Sequence, residues 1–374
     1  MHRIQLRILI IIVGTCLIVT SWIVNNDHPK APRFSVEKSF HESTQPYYFE
    51  TFASSHEVPE VHAAQAHPTN SGIAAYWFGG TREGDPDVKI YRAKFANEVW
   101  QPAQVIATRE SLSADLGRYI KKLGNPVGFR FENGTTWVFF VSVSIGGWAG
   151  SSINLIESLD DGKTWSKARR LVTTPFFNIS TLVRTHPITY QDGTIGLPVY
   201  HEFIGKFAEL LRLSRSGEIL GKKRLTYGTT TLQPSIVSHG PTHATALLRN
   251  AGDLPRKIIK VQTTDGGTTW QAPTPLSLPN PNSAIATIAF NDQTLLAFNN
   301  SERGRSDLSL AISTPEDWRV FHRSDYSNPD TLSEFSYPTL TVDKHGVIHL
   351  LYTWNRKLIK HVSFNSSWVN QQLK

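Results

Sequence analysis

From about residue 60 onward the chain repeats one pattern of apolar and polar positions. A segment ending in proline comes first: His67-Pro68, Asn125-Pro126, His186-Pro187, Gln233-Pro234, Asn280-Pro281 and Tyr337-Pro338. A turn and an apolar strand-like run follow each, at 74–80 (AAYWFGG), 136–143 (TWVFFVSV), 194–200 (TIGLPVY), 243–250 (HATALLRN), 294–300 (TLLAFNN) and 347–354 (VIHLLYTW). A third run then alternates in and out: VKIYRAKF, INLIES, AELLRLS, KIIKVQT, LSLAIS and LIKHVSF. The units recur at roughly 45 to 60 residues, close to one four-stranded blade of a β-propeller. The pattern therefore predicts an all-β, six-bladed β-propeller. The last unit stops soon after its third strand, and a propeller closes by borrowing a strand from its other terminus, which removes exposed sheet edges. Tyr47–Phe52 is the expected lender. The propeller is assigned to 46–374 and a linker to 26–45.

Between the third and fourth strands two turns match closely. Ser158–Trp165 reads SLDDGKTW and Thr263–Trp270 reads TTDGGTTW, both S/T-x-D-x-G-x-T-W. Asp160 and Asp265 can accept bonds from backbone amides of their own turns. Gly162 and Gly267 allow positive φ, and Trp165 and Trp270 can fold back as apolar plugs. SRSGEIL and STPEDWRV in the third and fifth units are decayed versions, and FANEVWQP stands at that place in the first. These aspartates are structural, on the face away from a site.

The first 25 residues break the pattern. Ile8–Val24 is an uncharged apolar run preceded by Arg3 and Arg7. At the short end of what spans a bilayer, it is expected to be an N-terminal transmembrane helix, with the basic tip in the cytoplasm and the propeller extracytoplasmic, periplasmic or extracellular. A cleaved signal segment and a lipidated Cys16 are the alternatives. Cys16 is the single cysteine, so the propeller has no disulfide and no thiolate metal site.

The composition, 40% hydrophobic and 18% charged, is that of a folded globular chain, and the ten Trp, eleven Tyr and nineteen Phe suit packed sheets and sugar-binding clefts. A formal net charge of +7 favours an anionic partner. With no nucleic-acid module and no dense Lys/Arg run, an acidic glycan is expected rather than nucleic acid. No HExxH or similar spacing argues for a metal, and no cofactor is implied.

Loops at one mouth of a propeller's channel build its site, and four polar clusters fall there. Gly79–Asp87 (GGTREGDPD) carries Arg82, Glu83, Asp85 and Asp87; Arg249 ends a strand of the fourth unit; Glu302–Asp307 (ERGRSD) brings Arg303 and Arg305; and Glu334–Leu340 (EFSYPTL) brings Glu334 and Tyr337. Arginine's planar fork binds a carboxylate bidentately, so arginines from several blades would form a carboxylate clamp. Tyr200, His201 and Glu202 in the third unit, with His62, His67 and His186, are further polar candidates.

These turns and clusters resemble the sialidase (neuraminidase) superfamily, in particular its bacterial Asp-box or BNR-repeat predicted sialidases, over most of residues 55 to 365. The resemblance implies removal of terminal sialic acid with retention, three arginines on the sugar carboxylate, a Tyr–Glu nucleophile pair and an aspartate acid/base. A neutral tyrosine nucleophile suits an anomeric carbon that bears a carboxylate, because a carboxylate nucleophile would be repelled. Carried over, Arg249 and Arg305 are the second and third clamp arginines, Tyr337 the nucleophile, Asp87 the acid/base with Asp85 second, and Arg82 the loop arginine. Two positions depart. The first-blade arginine has no counterpart in Val61-His62-Ala63-Ala64, and Gln233 stands where the activating glutamate is expected. Glutamine cannot take a proton, so Glu202 and Glu334 are the carboxylates that could replace it; His62, Gln233 and Glu334 are expected against the substrate. Two other functions stay open: a lyase or hydrolase on acidic bacterial polysaccharide with His62, His201 and Tyr337 as acid/base groups, and a non-catalytic glycan-binding module.

Overall fold

A computed structural model describes Thr15 and residues 31–36, 45–174, 178–328 and 331–374. Apart from Thr15, the apolar run read as a transmembrane helix lies outside the described residues, and among these no helix is long and apolar enough to cross a membrane.

Six antiparallel sheets follow one another as the blades of a propeller. Their innermost strands are Glu60–Pro68, Lys122–Arg130, the broken pair Leu182–Val183 and Ile188–Thr189, Thr231–Ser238, Ala286–Phe290 and Phe335–Val342, in blades 1 to 6. Each runs from the mouth of the channel to its lower end, the second strand returns, and the third descends again. Both faces of these strands are covered by neighbouring blades, so their burial is nearly continuous. The ring closes as expected. Tyr48–Phe52 adds antiparallel to Leu358–Phe364, from Tyr48 opposite Phe364 to Phe52 opposite Lys360. Asn365 fastens the seam: its side chain accepts from Tyr47 N at 3.1 Å and caps the helix Ser366–Gln372, whose Trp368 stacks on Tyr48 at 4.8 Å.

Four innermost strands share one irregularity. Their pairing slips between His62 and Gln65, Gly124 and Val127, Leu232 and Ser235, and Ser336 and Thr339. At each slip one residue has positive φ: Ala63 (57°), Asn125 (45°), Gln233 (49°) and Tyr337 (55°). Three of these precede the recurring prolines, so Asn125-Pro126, Gln233-Pro234 and Tyr337-Pro338 are β-bulges that re-aim a side chain. His67-Pro68 and His186-Pro187 differ, since the first ends its strand and the second lies in the break of blade 3. Left-handed backbone at Gln or Tyr costs on the order of 1–3 kcal/mol each and clusters at functional sites.

The two Asp turns sit at the lower end. Asp265 Oδ1 accepts from Thr269 N at 2.9 Å and Thr263 Oγ1 at 2.8 Å, and Asp160 binds its turn likewise. Asp265→Ala is expected to cost about 1–2 kcal/mol through these lost bonds, read as a lower denaturation midpoint, with ligand binding at the mouth unchanged. A shared loss of both would contradict the structural role.

Part of the expected linker is docked instead. Phe34 is completely buried, stacks on Tyr190 at 5.1 Å, and donates its backbone N–H to Pro241 O at 2.7 Å. The strap explains Gly266 in the second Asp turn, where φ is +72° and any Cβ would lie 1.7 Å from Pro32 O. The apolar pattern misses this because one Phe between prolines has no period.

Candidate active site

Side chains from all six blades meet at one place, three of them from the bulges. Tyr337 lies beside His62, with ring centroids 4.4 Å apart, and its hydroxyl is 3.4 Å from Arg249 Nη1. The same Nη1 donates to Gln233 Oε1 at 3.1 Å, while Gln233 Nε2 donates to Tyr200 Oη at 3.3 Å and Asn125 Nδ2 donates to it at 3.2 Å. Three bulge residues thus share a single polar network. The guanidinium of Arg305 lies 5.6 Å from the Tyr337 ring and that of Arg184 lies 5.1 Å from it.

A second, ionic layer holds the arginines. Glu334 Oε1 accepts from Arg305 Nη1 at 3.0 Å and from Ser336 Oγ at 2.6 Å. Its Oε2 accepts from Arg356 Nε at 2.8 Å, and Arg356 Nη1 donates to Glu83 at 2.7 Å. Asn282 accepts from Arg249 Nε at 2.7 Å through its side chain and from Arg305 Nη2 at 3.2 Å through its carbonyl. Nη2 of Arg249 and of Arg356 keep no protein partner among the described residues. Four guanidinium groups face two paired carboxylates here, so the mouth is positive and offers free donors to an anion.

Titration follows this charge. Burial alone would raise the Tyr337 phenol, but Arg249 and Arg305 outweigh it and bring it below the ordinary tyrosine value. Tyr200 goes the other way, raised by burial and by Glu202. Burial pushes His62 well below 6.5, helped by Arg356, and its Nδ1 has no hydrogen-bond partner among the described residues. Burial would raise Glu334; His62, the Ser336 hydroxyl, Arg305 and Arg356 instead take it to about 2. With His62 neutral, the arginines and Ser336 carry that effect near neutral pH. Glu202 lies under the influence of Arg249 and Lys206, yet burial keeps its carboxyl raised.

The first-blade loop places its charges differently from the sequence expectation. Arg82, expected at the substrate, is 74% exposed and pairs with Asp85 at 3.4 Å. Asp87, expected as acid/base, accepts from Thr81 N at 2.8 Å and Thr81 Oγ1 at 2.9 Å, which lower its pKa against its slight burial. Among the described residues no hydrogen bond or ion pair joins either to Tyr337, Arg249 or Arg305. The near amide and hydroxyl satisfy Asp87, and the i,i+3 partner takes Arg82. The loop sends Glu83 instead. His201 caps the Ile204 amide and stacks on Phe207, Arg303 stays in an exposed turn, and His67 and His186 line a cavity of about 560 Å³ at the lower end of the channel.

The model of the BNR repeat-like domain matches residues 71–350, three quarters of the chain. The chain belongs to the BNR repeat-like domain family. No curated protein sequence matches it. Among solved structures, this BNR repeat-like propeller is similar to the Hadza microbial sialidase Hz136, at 18% identity and TM-score 0.67, over 82% of this chain and 66% of that one. It is also similar to the intramolecular trans-sialidase of Ruminococcus gnavus in complex with oseltamivir carboxylate (14%, TM-score 0.66, 85% and 97% covered). The Trypanosoma rangeli sialidase in complex with sialic acid matches at 12% identity and TM-score 0.66, over 92% of this chain and 60% of that one. The sialidase-like architecture expected from the Asp turns is therefore the fold.

Within this BNR repeat-like site, sequence reasoning brought together Tyr337, Arg249, Arg305, His62, Gln233 and Glu334 and missed Arg184 and Arg356. Arg184 had a signal, a lone cation in the apolar segment TLVRTHP. Arg356 had none. It sits with Asn355 in a turn where both have positive φ (56° and 51°), and arginine does not mark such a turn. Its carbonyl accepts from Val61 N at 2.9 Å, beside His62.

Proposed function

We propose that the channel mouth binds the carboxylate of a terminal acidic sugar, sialic acid or a related nonulosonic sugar, and that the protein is a retaining exo-glycosidase with Tyr337 as nucleophile. One observation carries the reading: the Tyr337 phenol stands among guanidinium groups that favour its anion, while Arg249 and Arg356 keep free donors. The phenol gives up its proton to solvent, its oxygen attacks the anomeric carbon as the glycosidic bond breaks, and the leaving oxygen takes a proton from a carboxylic acid. The carboxylate so formed takes a proton from water, whose oxygen displaces the phenolate and releases the sugar. Gln233 takes no proton, so arginine charge supplies the activation a neighbouring glutamate would otherwise give. The acid is assigned to Glu202 rather than to Asp87, because the environment keeps Glu202 protonated to higher pH and Asp87 ionised.

The test is turnover of a sialoside by the full chain. Glu202→Gln is expected to slow an alkyl sialoside by about 10²–10⁴-fold and an aryl sialoside, whose leaving group needs less protonation, far less. Equal slowing of both would remove Glu202 from the acid role. A second reading rests on the unpartnered His62 Nδ1 beside Tyr337. In β-elimination on an acidic polysaccharide, His62 takes the proton next to a carboxylate neutralised by Arg249 and Arg305, and Tyr337 protonates the leaving oxygen. New ultraviolet absorbance from an unsaturated sugar, without sialoside cleavage, would select it.

A further inference from the structure

Arg184 is fully buried yet has no carboxylate partner among the described residues. Its Nη2 donates to Tyr337 O at 2.6 Å and Pro338 O at 3.0 Å, and its Nε has no partner among the described residues. A buried cation satisfied by carbonyls alone is unfavourable unless something offsets it. The next residue shows that bracing a bulge needs no charge. Thr185 Oγ1 donates to Pro234 O, the equivalent carbonyl of the Gln233-Pro234 bulge in blade 4. Two adjacent residues of blade 3 thus brace two bulges of the same form, one with a neutral hydroxyl and one with a guanidinium. The bulge given the charge is the one whose side chain would become an anion, and the guanidinium lies 5.1 Å from that ring.

We propose that Arg184 is a positioning residue for Tyr337, reaching from blade 3 to hold the Tyr337-Pro338 bulge and keeping a fixed positive charge beneath the phenol. The inference rests on Tyr337 being the reactive group. Burial lowers Arg184 to about 10, partly offset by Tyr337 and then Tyr200. Bulge and charge act together, because a phenol aimed at the mouth without the cation would ionise less, and a cation without the bulge would face no phenol.

The experiment is ultraviolet titration of tyrosinate in the full chain, with Tyr337→Phe identifying the Tyr337 signal. Arg184→Met keeps the hydrocarbon volume and removes the charge, and is expected to move that signal up by at least about one pH unit, a tenfold change in ionisation. Arg184→Lys, which keeps the charge, is expected to titrate close to wild type, and Arg184→Gln, also neutral, replaces the methionine variant if that one does not melt cooperatively. An unmoved signal in the folded neutral variant overturns the proposal, and so does an Arg184→Lys signal shifted as far as that of the neutral variant. The readout needs no substrate. An Arg184-dependent titration with no sialoside turnover leaves this inference standing and removes the glycosidase reading; Tyr337-dependent turnover with an unmoved titration does the reverse.

Discussion

Tyr337→Phe is expected to lower sialoside turnover at least about a thousandfold, with a change of only a few degrees in melting temperature, about what 1 kcal/mol produces in a domain this large. The substitution removes one oxygen. The ring keeps its contact with His62 and its place beside Arg184 and Arg305, and the hydroxyl's own bond to Arg249 is long, at 3.4 Å. Little packing is therefore lost, whereas a nucleophile has no substitute nearby. Glu334 is tied to two arginines, and Gln233 is neutral. Initial rates and a thermal melt on the same preparation check both halves. A variant that keeps its turnover would place the nucleophile elsewhere.

Glu334→Gln is expected to cost about 2–4 kcal/mol, somewhat less than breaking a fully buried pair, because the carboxylate is partly open to water. The loss arises from Arg305 and Arg356, which are left facing an amide while Glu83 holds only the second. Acid provides the cross-check. Glu334 goes from 4.5 when free to about 2 in the folded chain, so its folded pKa is depressed. The stability it contributes is complete above about 4.5 and is lost as the pH falls from there towards about 2. Wild type and variant should therefore differ most near neutrality and converge in acid. A constant difference in denaturation midpoint across that range would show that Glu334's charge is not what stabilises the knot.

Legibility in the sequence varied with how local each feature is. The Asp turns were readable because Asp, Gly, Thr and Trp act within eight residues on their own backbone. The closing strand Tyr48–Phe52 was readable because the last unit lacked a fourth strand. Tyr337, Arg249 and Arg305 were readable because each stands at a fixed place in its repeat unit. The loop charges were not. Arg82, Asp85 and Asp87 differ from Glu83 only in which neighbour satisfies each first, and that depends on Thr81 and on Arg356, 273 residues further along. The helix Arg109–Leu116 also escaped, since its capping box is Thr108 with Ser111 rather than the usual acidic partner.

What the sequence determined by itself is the repeat: six units, their turns, their apolar strands and the strand that closes the ring. The turns and strands are period-two and turn effects, settled between residues close in the chain, and the closing strand follows from the fourth strand that the last unit lacks. Only the tertiary structure decided which bulges converge, that Arg184 and Arg356 join them, and that His62 and Gln233 sit neutral among four arginines. Those facts depend on blades packing around one channel. A bulge re-aims a side chain by a local backbone choice, but what it meets is set by the packing of blades: Gln233 meets Tyr200, 33 positions away, and Tyr337 meets Arg184, 153 positions away.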